Sequence, residues 1–161
     1  MAITKNSYIA RLSQDHHLEM LFCERIDKGI KLGVSLDRIR KYVAYFWSQH
    51  LQKHFMEEEQ LLFKTIDDVF CTKGKQDHIA IIAETEYITL GKNAGQHDFL
   101  RLVSTIHQHI NFEERVLFPH LELLLPKEEL QIIQEHLNHS HLDSFKDVFS
   151  DEFWIQENYT C

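Results

Sequence analysis

The chain has 161 residues, a formal charge of −8 at neutral pH, 12 histidines, only five glycines and two prolines. An acidic balance without clustered Lys and Arg excludes a nucleic-acid groove, and no apolar run approaches the length of a membrane span. The first residues lack the apolar core of a signal peptide, and three widely spaced cysteines (Cys23, Cys71, Cys161) point to reduced thiols in a cytoplasmic protein. Scarce breakers and abundant Leu, Ile, Phe, Glu and Gln predict long helices with short connections.

The first helix is expected from about Arg11 to Lys31, burying Leu12, Leu18, Leu21, Phe22, Ile26 and Ile30. Ser35 is a suitable N-cap for a second helix running from Leu36 to around Ile66. Trp47, Leu51, His54, Glu58, Leu61 and Thr65 form its inward stripe at steps of three or four. Val69 to Lys75 reads as a connection with Gly74 as breaker, before a third helix from about Gln76 to Leu90 carrying His78, Ile79 and Ile82. After Gly91–Gly95 turns the chain, a fourth helix runs from about Gln96 to Leu125. Its inward set is Leu102, Ile106, His109, Glu113, Val116 and Leu117; Pro126 ends it, and Pro119 is a candidate kink. A fifth helix from about Glu128 to Phe149, anchored by Leu130, Ile133, Leu137 and Phe145, precedes a cap at Asp151–Ile155. The expected fold is all-α, an up-down-up-down four-helix bundle with an additional C-terminal helix. It forms a single domain over residues 1–161, with the bundle core at about 10–125 and the C-terminal helix and cap at about 127–155.

One pattern occurs twice. His54-Phe55-Met56-Glu57-Glu58-Glu59-Gln60-Leu61-Leu62-Phe63 returns as His109-Ile110-Asn111-Phe112-Glu113-Glu114-Arg115-Val116-Leu117-Phe118. Positions i and i+4 share a helix face, so each copy aims an imidazole and a carboxylate inward among apolar residues. A buried carboxylate needs a strong partner, and a metal ion supplies one. His16, His54, Glu58, His78, His109 and Glu113 draw candidate ligands from all four main helices. His78 joins the set because the third helix must contribute at the level of the pocket. His16 competes with His17, since adjacent residues cannot face the same way and the surrounding stripe does not settle which turns inward. Four imidazoles and two carboxylates suit two metal ions, leaving room for a bridging oxo or hydroxo group and an open position. His50 reads as a surface residue, with hydrogen-bond donor and extra ligand as its other roles. His97, His107, His120 and the group His136, His139 and His141 are expected outside the pocket, and Glu57, Glu59 and Glu114 are expected to face outward or rim the bundle.

On these residues the chain resembles the hemerythrin-like, or HHE, cation-binding family. The resemblance covers roughly residues 10–125 and rests on Asp15-His16, His54-Phe55-Met56-Glu57-Glu58, Asp77-His78, His109-Ile110-Asn111-Phe112-Glu113-Glu114 and Leu117-Phe118-Pro119. It implies a four-helix bundle around a non-haem di-iron centre bridged by two carboxylates, and it favours His16 over His17. The implied ligands are His16, His54, Glu58, His78, His109 and Glu113. The oxygen-carrying hemerythrins place two histidines one turn apart on the third helix, whereas here Gly74 and Ile82 flank His78. The four-His, two-Glu set is closer to family branches linked to iron, oxygen or nitric-oxide response and repair.

The expected function is therefore a cytoplasmic di-iron protein binding O2 or NO in sensing, storage or stress response. The expected cofactor is two Fe ions, with Zn or Mn as alternatives. Two rival functions use the same centre: a peroxidase-like or oxygen-reducing enzyme, and an interaction module stapled by metal. No nucleic-acid or membrane partner is expected, while the C-terminal helix is a candidate surface for a homodimer or protein partner.

Overall fold

A computed structural model describes residues 8–140 and 145–156. Helix α1 spans Ala10–Lys31 and buries Leu12, His16, Glu19, Phe22, Cys23 and Ile26 along one stripe. Its end is a paired-bond C-cap: Gly33 adopts φ 71°, its N–H donates to Ile30 O, and Val34 N–H donates to Gly29 O. Ser35 then caps α2 by accepting from Arg38 N–H.

Helix α2 (36–63) is continuous but not uniform. It runs as Leu36–Phe46, a π-helical turn at Trp47–Leu51, Gln52–Glu57, and a second π-helical turn at Glu58–Phe63. Helix α3 spans Val69–Leu90. Helix α4 (96–124) comprises Gln96–Phe112, a π-helical turn at Glu113–Leu117, and Phe118–Leu124. Helix α5 spans Lys127–Ser140. The first four pack as neighbours round a square, α1 on α2, α2 on α3, α3 on α4 and α4 back on α1, giving the expected four-helix bundle with an additional C-terminal helix.

Two apolar layers sandwich a polar one. Every bundle helix crosses them in an order that alternates with its direction: Leu12 then Phe22 on α1, Leu51 then Leu62 on α2, Cys71 then Ile81 on α3, Ile106 then Leu117 on α4. Between the two apolar clusters each helix carries its inward histidine. Helix α5 covers one end through Leu130, Ile133 and Leu137. Phe145, Phe149, Phe153 and Trp154 cover the other.

Several expectations are corrected. Helix α3 starts seven residues before Gln76, at Val69, because Asp68 caps it by accepting from the N–H groups of Phe70 and Cys71. Gly74 does not break the chain; it lies inside α3, where a β-carbon would stand 2.9 Å from the Phe63 ring. The fifth helix is described as far as Ser140 and does not reach Phe149: residues 145–149 form no helix, and residues 141–144, with His141, lie outside those described. Ile79 and Val116 face outward, at 66% and 39% exposure; Ile81 occupies the core in place of Ile79, and Leu117 is buried as expected. Cys23 and Cys71 are buried free thiols, and Cys161 lies outside the described residues. Among the described residues no helix is long and apolar enough to cross a membrane.

Candidate metal centre

All six residues singled out from the sequence are buried in the polar layer: His16, Glu58, His78 and Glu113 at 0% exposure, His54 and His109 at 2%. His17 faces solvent. On α2, His54 Nε2 lies 3.0 Å from Glu58 Oε1; on α4, His109 Nε2 lies 3.0 Å from Glu113 Oε1. The other two helices reach across to the same oxygens, His16 Nε2 to Glu113 Oε1 at 3.2 Å and His78 Nε2 to Glu58 Oε1 at 3.4 Å. The donor atoms form two groups, His16–His54–Glu58–Glu113 and Glu58–His78–His109–Glu113, each with its atoms within 4.8 Å of one another. Both glutamates belong to both groups. That sharing makes the layer suitable for a pair of metal ions and not merely for one.

A ring of outer carboxylates orients the imidazoles. Asp15 on α1 accepts from His54 Nδ1 on α2 at 3.0 Å, and Glu59 on α2 from His78 Nδ1 on α3 at 3.2 Å. Asp77 on α3 accepts from His109 Nδ1 on α4 at 3.1 Å, and Glu114 on α4 from His16 Nδ1 on α1 at 2.6 Å. Each helix thus anchors the histidine of the next, and the circuit closes. With Nδ1 held by a carboxylate, every Nε2 is turned to the interior, where a bound metal would take the place of its proton.

The interior is consequently crowded with metal-donor atoms. His78 Nε2 and His109 Nε2 face each other at 3.1 Å. Both oxygens of Glu58, Oε2 of Glu113 and Nε2 of His54 have no hydrogen-bond partner despite full burial. Such an arrangement is costly without cations and is the donor set that imidazole- and carboxylate-binding metals require. The residues therefore fit a pair of metal ions.

Without metal, the layer retains protons. Burial works against charging His16, but hydrogen bonds to Glu113 and Glu114 outweigh it and push its pKa up to about 10. His109 also stands at about 10, with Glu113 and Asp77 overriding burial. His54 is raised well above the usual value and His78 is raised, again against burial, by the carboxylates around them. Burial and the charge of Glu113 push Glu58 up, whereas Glu113, although buried, is held well below the usual carboxylate range by His109 and its hydrogen-bond neighbours. Cations in the layer would displace these protons.

No known protein family, curated protein or solved structure matches this chain. The resemblance of the two His/Glu clusters to a hemerythrin-like di-metal site is one of fold and donor arrangement.

Aromatic rings close the layer. Phe118 stacks on His16 with centroids 5.6 Å apart, and Phe55 stacks on His78 at 3.9 Å. On the α1–α2 side a cavity of about 350 Å³ reaches Asp15, His50 and His54 from solvent, bordered by Lys53, Glu57 and Phe145.

Sequence reasoning missed four features. Glu114 does not rim the bundle; it is 7% exposed and holds His16. Glu113 opens a π-helical turn, which lets two successive side chains point inward. His50 is not a surface residue: it is 5% exposed, 3.8 Å from Glu19 and stacked on Phe145 at 4.9 Å. Glu19, three residues after His16, is 1% exposed, and its spacing on the buried stripe was the available signal. The sequence motifs contained Asp15 and Asp77, but each serves the histidine of the next helix and not the one beside it. Among the other histidines, His97, His107, His136 and His139 are exposed, and His120 pairs with Asp68 at 2.6 Å.

Proposed function

We propose that this chain forms one hemerythrin-like domain with a non-haem di-iron centre that binds O2 or NO, and that His16, His54, Glu58, His78, His109 and Glu113 are its ligands. The observation that carries this reading is the convergence of four Nδ1-anchored imidazoles on two shared glutamates, of which both oxygens of Glu58 and Oε2 of Glu113 have no hydrogen-bond partner. Two iron ions, when bound, supply a redox-active site for a diatomic ligand.

The chain's own residues do the rest. Glu58 and Glu113 offset the cationic charge within an apolar shell. The outer carboxylates keep the four imidazoles in one tautomer and raise their basicity. Glu59 supports this as an anion, held below its usual pKa by His78. Asp77 is likewise held low, against burial, by His109 and Lys73. Phe55 and Phe118 limit water at the imidazole faces, which favours ligand binding over exchange with solvent.

The test is metal analysis by mass spectrometry on protein made without a histidine tag under aerobic, iron-supplemented expression, together with its absorption spectrum. The expected result is close to two irons per chain and near-ultraviolet charge-transfer absorption that changes on exposure to O2 or NO. Colourless protein without iron overturns the proposal. Full zinc occupancy with no response to either gas leaves a metal-stapled bundle in its place.

A further inference from the structure

We infer that Glu19 is an additional metal donor on the His16–His54 side of the centre, so that the two halves of the pocket differ in charge. This inference rests on the metal-centre reading above.

Glu19 follows His16 by one helical turn on α1, which places both side chains on the same inward face. It is 1% exposed, and its Oε1 lies 3.1 Å from His54 Nε2. Glu58 Oε1 lies 3.0 Å from that same nitrogen. His54 gives its Nδ1 side to Asp15, which leaves Nε2 as the nitrogen turned toward Glu19 and Glu58. Glu19 Oε1, Glu58 Oε1 and His54 Nε2 all lack hydrogen-bond partners. Two buried carboxylate oxygens flanking one imidazole nitrogen require positive charge beside them, a proton on His54 in the metal-free protein and a cation when metal is bound. Its ion-pair neighbours among the described residues are His54 and, at 3.8 Å, His50, so no Lys or Arg supplies that charge.

Any ion bound at His54 Nε2 is therefore within reach of a third carboxylate. The mutually close donors are two imidazoles and two carboxylates in each half, and Glu19, 3.1 Å from His54 Nε2, would add a third carboxylate to the His16–His54 half alone. The more anionic half binds its ion first and more tightly, and the less crowded half keeps the position for an external ligand.

The deciding experiment titrates the metal-free protein with Zn2+, and anaerobically with Fe2+, against a competing chelator. Wild type is compared with Glu19→Gln, which keeps size and removes charge, with Glu19→Asp, which keeps charge and withdraws the oxygen, and with Asp15→Asn, which weakens only an outer anchor. Circular dichroism of each metal-free variant checks folding. Loss of an outer partner costs roughly 10–100-fold in metal affinity. A direct donor predicts that Glu19→Gln weakens one of the two ions by more than Asp15→Asn does, with Glu19→Asp in between. Iron Mössbauer spectra of the loaded Gln variant should change one quadrupole doublet and preserve the other. Two ions bound with wild-type affinity, or a loss no larger than that of Asp15→Asn, overturns the assignment of Glu19. A wild-type protein that binds no metal removes the underlying centre as well, and the wild-type titration alone reveals that.

Discussion

Glu114 Oε1 lies 2.6 Å from His16 Nδ1, on the far side of an imidazole whose Nε2 faces Glu113 at 3.2 Å. Adjacent residues of α4 thus hold both nitrogens of one α1 side chain. This contact closes the ring of carboxylates that runs from each helix to the next histidine.

Replacing Glu114 by Ala should strip His16 of its anchor. The expected outcome is a loss of roughly 10–100-fold in affinity for zinc or iron. The metal-free protein should also lose about 1–3 kcal/mol, because a buried N–H is left unpaired. Competition titration and urea unfolding measure the two effects. Unchanged metal affinity would show that His16 needs no anchor.

The metal-free protein should become less stable as pH rises. His16 and His109 have folded-state values of about 10, above their ordinary 6.5. Their protonated forms stabilise the fold fully below pH 6.5, and that contribution is lost as pH climbs through about 10. Metal loading replaces the protons and should abolish the decline. Thermal melts of chelated and zinc-loaded protein across this window test both statements, and a flat profile for the chelated protein would contradict the electrostatics.

Gly29→Ala should dislodge the C-terminal segment. A β-carbon there would stand 2.7 Å from the ring of Phe153, which is only 2% exposed. Overpacking of this kind costs about 1–3 kcal/mol, reduced by the roughly 1 kcal/mol that Ala gains over Gly in a helix. Hydrogen exchange should report faster opening of residues 151–155, while metal content remains at the wild-type level. Retained protection in that segment would count against tight docking of Phe153.

Asp68→Ala should loosen the start of α3. The variant loses the acceptor for the N–H groups of Phe70 and Cys71 and the partner of His120, costing about 0.5–2 kcal/mol. The N–H of Cys71 and then His120 hold the Asp68 carboxyl below its ordinary 3.8. Its contribution is therefore present above that value and is lost as pH falls below it. Denaturation of wild type and variant should differ at neutral pH and converge in acid.

Much of the bundle was legible in the chain. Helical periodicity placed α1 closely, Ser35 signalled the start of α2, and Pro126 marked the end of α4. The duplicated His-x-x-x-Glu turns lay on buried stripes, so their inward direction followed from spacing alone. Gly74 misled because a glycine used for close approach to Phe63 carries the same letter as one used to break a helix. Phe145 continued the apolar pattern of α5, yet it packs on His50 from outside any helix. Apolar periodicity reports burial and not the backbone that achieves it.

The linear chain determined the donor chemistry, the helical spacing of His54 with Glu58 and of His109 with Glu113, and the four-helix architecture that buries them. Those features depend on local geometry, in which the partners sit one turn apart. Only the tertiary structure decided that His16 and not His17 enters the core, that Asp15 supports His54 and Asp77 supports His109, and that Glu19 meets His54. These contacts join different helices, and their distances depend on helix rotation and on π-helical turns at Glu58 and Glu113. A shift of one residue in any helix would turn its polar side chain away, and packing of the apolar layers above and below sets that register.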